Sequence, residues 1–125
     1  ESAPLILDAE ELTLNKIAID GKELDASDYT WKTEEKLAIA PPLPLPVAFT
    51  LSTVVTVKPQ DNTQLSGLYV SSGVFCTQCE AEGFRRITPM LDRPDIMARY
   101  SVRVEADKKA CPVLLSNGNL SNSGD

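Results

Sequence analysis

Residues 75–100 read FCTQCEAEGFRRITPMLDRPDIMARY, and the fold and function of the chain are organised around this segment. It contains two cysteines, four carboxylates and four arginines between strand-like flanks. Gln78 and Glu80 are two positions apart, and in an extended backbone residues i and i+2 point to the same side. An amide oxygen and a carboxylate on one side would suit a protonated amine. The alternative interpretation is that both residues are solvated parts of a loop.

Length and composition are those of an ordinary globular domain. The chain has 125 residues, of which 42% are hydrophobic and 24% charged, so we expect residues 1–125 to form a single domain. No apolar run approaches the length of a membrane span. The net charge is −6, so the chain lacks the surplus of basic residues that nucleic-acid binding requires. An acidic surface would instead favour cationic ligands. We therefore expect neither nucleic acid nor a membrane as a partner.

The cysteines favour a reducing compartment. Cys76, Cys79 and Cys111 cannot all pair within one chain, which points to the cytoplasm. A metal site at Cys76 and Cys79 would need two further ligands, but the chain has no histidine and only one other cysteine. We therefore expect no metal or cofactor in this segment. A redox role would require a helix that begins at the pair and lowers a thiol pKa. The simpler interpretation is that the cysteines fill space as small apolar residues.

Hydrophobic alternation predicts a mostly β chain. A first hairpin is predicted around the tight turn Asp20-Gly21, and a second around Glu34-Glu35. The alternation over residues 49–57 is the clearest strand signal. Further strands are predicted at residues 4–7, 12–19, 67–70, 102–105 and 113–115.

Other elements follow from proline, charge and spacing. The run PPLPLP at residues 41–46 predicts an extended connection, with a proline-rich docking segment or a linker as the alternatives. Short helices are predicted at residues 80–86 and 94–99. Glu82 precedes Arg86 by four positions, which predicts a local ion pair. We expect the four arginines of the central segment to pair with acidic loops and the final residues SNSGD to be loose.

The central segment resembles the N-terminal domain of bacterial-type aminopeptidase N. The resemblance is carried by TQCEAEGFRRIT at residues 77–88 and LDRPDIMARY at residues 91–100. LSGLYVSSGVFC before it and PVLLSNGNL after it agree, and SAPLILDAEELTL near the start gives weaker support. A long ungapped run of unusual composition is specific, whereas a CxxC pair alone would not be.

The resemblance implies a fold, an activity and a site. The family comprises zinc-dependent enzymes that remove single residues from peptide amino termini. Its N-terminal domain is a saddle-like β-sandwich that lies against a thermolysin-like catalytic domain. Gln78 and Glu80 match the residues that help to bind the free α-amino group of the substrate. That group has a pKa of about 8 and is mostly protonated at neutral pH, so a carboxylate can bind it through a charge-assisted hydrogen bond.

The chain also lacks two motifs of the family. The zinc motif HExxH and the GAMEN-type motif are absent. The resemblance therefore implies that Zn²⁺ is held by the catalytic domain of a longer parent protein, and that this segment is not catalytic alone. It also implies that the β-sandwich is incomplete here, and unpaired strand edges would favour self-association. The alternatives are a non-catalytic binding or scaffold module related to the aminopeptidase fold and, more weakly, a small redox protein.

Overall fold

The computed structural model describes residues 3–40 and 44–125. This part of the chain contains eight β-strands, which pair in antiparallel fashion. Two short 3-10 helices, Pro59–Asp61 and Phe84–Arg86, accompany them. The predicted mostly β fold is confirmed. The strands are β1 Leu5–Asp8, β2 Thr13–Ile19, β3 Lys22–Glu23, β4 Tyr29–Thr33, β5 Lys36–Ile39, β6 Leu51–Thr56, β7 Gly67–Ser71 and β8 Val74–Gln78.

The strands form three separate sheets. Their orders are β1-β5-β4, β3-β2-β6 and β7-β8, and every neighbouring pair is antiparallel. Both predicted hairpins are confirmed. Asp20 and Gly21 connect β2 to β3 with φ of 49° and 80°, the left-handed conformations that a tight two-residue hairpin turn requires. Glu34 and Glu35 connect β4 to β5.

The core is formed by residues of the first two sheets together with Ala9, which follows β1. Its buried members are Leu7, Ala9, Ile17, Leu37 and Ile39. The predicted face of β6 is also confirmed, because its alternate residues are partly buried while those between them are exposed. Partly buried apolar side chains from β1, β2, β4 and β6 pack around this cluster.

The C-terminal third differs from the prediction. Residues 102–105 and 113–115 form no strand, and their apolar side chains are exposed. A strand needs a hydrogen-bonded neighbour, and the described residues bring none to either segment. Residues 94–99 form only a single turn, with the N–H of Ile96 donating to the carbonyl of Arg93 at 3.1 Å. So short a segment gains too little from helical hydrogen bonds to offset the cost of nucleation.

Three further expectations concern the remaining segments. The predicted helix at residues 80–86 is shorter than expected, since only Phe84–Arg86 adopts a 3-10 turn. Of the predicted connection at 41–46, residues 41–43 lie outside the described residues, while Pro44 and Pro46 are not in a strand. The final residues SNSGD are exposed. Across residues 3–40 and 44–125, no helix combines the length and apolar character needed to cross a membrane.

Candidate functional site

Gln78 and Glu80 lie at one end of the β7-β8 hairpin. Gln78 is the last residue of β8, Glu80 belongs to the turn that follows, and both are exposed. The strand ends at Gln78, so the extended backbone on which the expected same-side arrangement depends does not continue to Glu80. The two residues meet instead through a hydrogen bond, in which Nε2 of Gln78 donates to the carbonyl oxygen of Glu80 at 3.3 Å. The peptide bond between Glu80 and Ala81 is cis.

A backbone hydrogen bond closes the turn that carries Glu80. The N–H of Gly83 donates to the carbonyl of Cys79 at 2.9 Å, and the 3-10 helix Phe84–Arg86 begins immediately afterwards. This helix carries two adjacent arginines whose side chains are buried. The turn is therefore joined directly to a segment that is anchored in the protein interior.

Arg85 is the centre of one buried ion-pair cluster. Its Nε lies 3.0 Å from Oδ2 of Asp92, and its Nη1 lies 3.8 Å from Oδ1 of Asp8. Asp8 also accepts the N–H of Asp92 at 3.0 Å and pairs with the ammonium of Lys36. Burial raises the pKa of Asp8, but the hydrogen bonds from Lys36 and Asp92 and the charges of Arg85 and Lys36 outweigh it, so its pKa lies below the ordinary value of 3.8.

Arg86 joins the same helix to the loop between β1 and β2. Its Nη1 lies 2.6 Å from Oε1 of Glu10, and its Nη2 lies 2.6 Å from Oε2 of Glu11. Its Nε donates to the carbonyl of Ser66 at 3.2 Å, and Nη1 also donates to Oε1 of Gln64 at 3.2 Å. The expectation that the arginines bind acidic loops is confirmed for Arg85 and Arg86. In the sequence, the only indication of the partners of Arg86 is the pair of adjacent acidic residues Glu10 and Glu11 near the start of the chain.

The other charged residues of the central segment do not form the predicted pairs. The pairing of Glu82 with Arg86 is wrong, because Oε1 of Glu82 lies 3.7 Å from Nη2 of Arg85. Glu82 precedes the 3-10 helix Phe84–Arg86, so Glu82 and Arg86 do not lie on one α-helix, where residues four apart would face each other. Among the described residues, Arg93 pairs only with its near neighbour Asp95, and both side chains are exposed. Arg99 has no ion pair with any residue that the structure describes.

The cysteines do not have the environment of a redox pair. All three carry unpaired thiols, and no helix begins at Cys76 or Cys79. Burial raises the pKa of Cys79, and the negative charge of Asp92 raises it further. A reactive redox thiol needs the opposite shift, so the redox interpretation is wrong. Among the described residues, no group of three or more histidine, cysteine or acidic side chains could hold a metal ion, so they do not fit a zinc site.

Comparison with known proteins gives a consistent result over the whole chain. Residues 1–125 match the family model described as the peptidase M1 N-terminal domain. The chain is 54% identical over 124 residues to aminopeptidase N of Caulobacter vibrioides, which covers 99% of this chain and 14% of that protein. It is 46% identical over 123 residues to aminopeptidase N of Escherichia coli, which covers 98% of this chain and 13% of that protein.

A solved structure has the same fold. The crystal structure of Legionella pneumophila aminopeptidase A in complex with aspartic acid matches with a TM-score of 0.84 and 36% identity, over 94% of this chain and 13% of that one. The chain thus spans only a small part of the proteins that it matches. As the resemblance of residues 77–100 predicted, the chain belongs to the peptidase M1 N-terminal domain family.

Proposed function

We propose that this chain is part of a zinc-dependent aminopeptidase, and that Gln78 and Glu80 bind the free α-amino group of the peptide substrate. The observation that carries the proposal is the 54% identity to an aminopeptidase N over nearly the whole chain. The exposed position of both residues at one hairpin end supports the assignment, because their polar groups are accessible to a ligand. Residues 1–125 would act as one unit.

The chemistry of the two side chains suits a protonated amine. The α-amino group is mostly an ammonium at neutral pH, and the carboxylate of Glu80 can accept a charge-assisted hydrogen bond from it. Nε2 of Gln78 is engaged by the carbonyl of Glu80, so its Oε1 is the atom that would accept a second ammonium proton. In the active-site cleft of the parent protein, a blocked amino terminus would leave the carboxylate without its partner, which would disfavour acylated peptides.

The remaining parts of the active site would come from elsewhere in the parent protein. The chain has no histidine, and its described residues do not fit a zinc ion. The zinc would therefore belong to a catalytic domain of the parent, which is also the proposed partner of this domain. The unpaired thiols of the three cysteines support a cytoplasmic location.

The test is Glu80→Ala in the full-length protein, assayed with peptides that have a free amino terminus. We expect kcat/KM to fall by about 10- to 1000-fold, the range for losing one charge-assisted contact. The matched control is Glu82→Ala, which removes an exposed carboxylate two residues further along. Its kinetics should resemble those of the unmodified enzyme. Unchanged kinetics for Glu80→Ala would remove this residue from the binding site.

The alternative of a non-catalytic binding module makes a different prediction about the parent gene. A reading frame that continues beyond residue 125 with HExxH and a trailing glutamate supports the enzyme. A parent chain that lacks those zinc ligands would support the binding module instead.

A further inference from the structure

Gly83 has a backbone conformation that any residue could adopt. Its φ of −93° and ψ of −15° lie in the right-handed helical region. Gly67 differs, since its φ of 76° is a conformation that favours glycine. The reason for a glycine at position 83 is therefore space and not conformational freedom.

The space beside Gly83 is filled by the segment that carries the two proposed binding residues. A Cβ atom at position 83 would lie 2.6 Å from the carbonyl oxygen of Gln78 and 3.0 Å from the Cα of Cys79. It would also lie 2.9 Å from Oγ of Ser66. Two of these three atoms belong to the backbone, so they cannot rotate away as the end of a flexible side chain can. A side chain at position 83 must displace one backbone segment relative to the other.

The anchored side of this contact is the 3-10 helix that begins after Gly83. Arg85 and Arg86 hold it through the buried ion pairs described above. Gly67 packs against it as well, because a Cβ there would lie 2.7 Å from the Cβ of Arg86. The other side is the exposed turn that contains Glu80. The less constrained turn would therefore take up the displacement.

We propose that Gly83 is a positioning residue for substrate binding, an inference that rests on the proposed function. Its missing side chain lets the backbone of Gln78 and Cys79 close against it. This contact sets where Gln78 and Glu80 present their polar groups to the substrate amine. Gly83 itself does not touch the substrate.

The experiment is a double-mutant cycle in the full-length protein, with KM and kcat measured on a peptide with a free amino terminus. We expect Gly83→Ala to raise KM by about tenfold or more, because displacement of a binding group by about 1 Å can cost up to about 100-fold. In a Glu80→Ala background the same substitution should cause a smaller further loss, since only the contribution of Gln78 then depends on the position of the turn.

Gly73→Ala is the matched control. Gly73 lies at the other end of the same hairpin and has no heavy atom within 4 Å of its Cβ position, but its φ of 79° strains an alanine. This variant is expected to be less stable while its KM stays unchanged. It therefore separates general destabilisation of the hairpin from displacement of the turn.

The outcomes distinguish the inference from the proposed function. Unchanged kinetics for Glu80→Ala would defeat the proposed function and the inference with it. A loss for Glu80→Ala combined with an unchanged KM for Gly83→Ala would overturn the inference alone, and so would fully additive losses. If Gly83→Ala does not fold, Ser66→Thr adds one methyl group to the side chain that faces Gly83. It should give a smaller rise in KM that becomes smaller still in the Glu80→Ala background, and an unchanged KM would overturn the inference.

Discussion

Replacing Arg86 with methionine tests whether the central segment stabilises the fold by binding the start of the chain. Arg86 contacts Glu10 and Glu11, which precede it by more than 70 positions. Its side chain is 4% exposed. Methionine has a similar length but carries neither the charge nor the donors, so Arg86→Met removes the ion pairs while leaving most of the packing in place.

The expected loss follows from the burial of each partner. Removing one member of a buried ion pair costs about 3–5 kcal/mol, because the other charge stays buried without a partner. The side chain of Glu10 is 23% exposed, so it would recover only part of its hydration. The side chain of Glu11 is 55% exposed, and a pair of that kind contributes about 0–1 kcal/mol. We therefore expect the free energy of unfolding to fall by about 2–4 kcal/mol, mostly through Glu10.

Urea denaturation followed by the fluorescence of Trp31, the single tryptophan, measures this change. The control is Arg103→Met, because the ion pair between Arg103 and Glu105 is 87% and 67% exposed. That substitution should change stability by no more than about 0.5 kcal/mol. Adding Glu10→Gln to Arg86→Met should recover part of the loss, since the unpartnered group is then neutral. Equal losses for Arg86→Met and Arg103→Met would refute the reasoning.

Three further predictions concern acid stability, thiol chemistry and association. Because the pKa of Asp8 is lower in the folded state than its ordinary value of 3.8, its contribution to stability is complete above pH ~5 and is lost as the pH falls through its folded pKa. Asp8→Asn should flatten the decline of the unfolding free energy in acid, and an unchanged pH slope would contradict this. Cys79 should be alkylated with a midpoint above its ordinary pKa of 9.0, measured by mass spectrometry against pH, whereas a midpoint near neutrality would restore the redox interpretation. The isolated chain should associate as its concentration rises, because Val113 and Leu115 are exposed beside unpaired backbone. Light scattering should detect this association and show less of it for Val113→Lys with Leu115→Lys, and a monomer at every concentration would count against it.

The features that could be predicted from the sequence depend on residues close together along the chain. Asp-Gly at residues 20–21 predicts its hairpin because few residues adopt two successive positive φ values. The alternation at residues 49–57 predicts the half-buried strand β6 because successive side chains point to opposite faces. The run at residues 77–88 predicts the family because it is long and unusual in composition.

The features that could not be predicted depend on which segments meet in space. Alternation at residues 102–105 indicates what a strand there would bury, but it contains no information on whether a neighbouring strand is present to bond with it. Nothing local to Arg86 identifies Glu10 as its partner. Glycine at position 83 has an ordinary backbone conformation, and only the folded chain brings the side chain of Ser66 against the turn that contains it.

The sequence by itself therefore determined the β-rich class, the hairpin turns, the family and the candidate pair Gln78 and Glu80. The tertiary structure decided the partners of the buried arginines and the absence of strands at residues 102–105 and 113–115. It also decided the close contact of Gly83 with the segment that carries the proposed site. The physical reason is a difference in range. Turn conformation and strand alternation follow from steric preferences within a few residues, whereas strand pairing and the ion pairs of Arg86 with Glu10 and Glu11 arise only where distant segments of the folded chain come together.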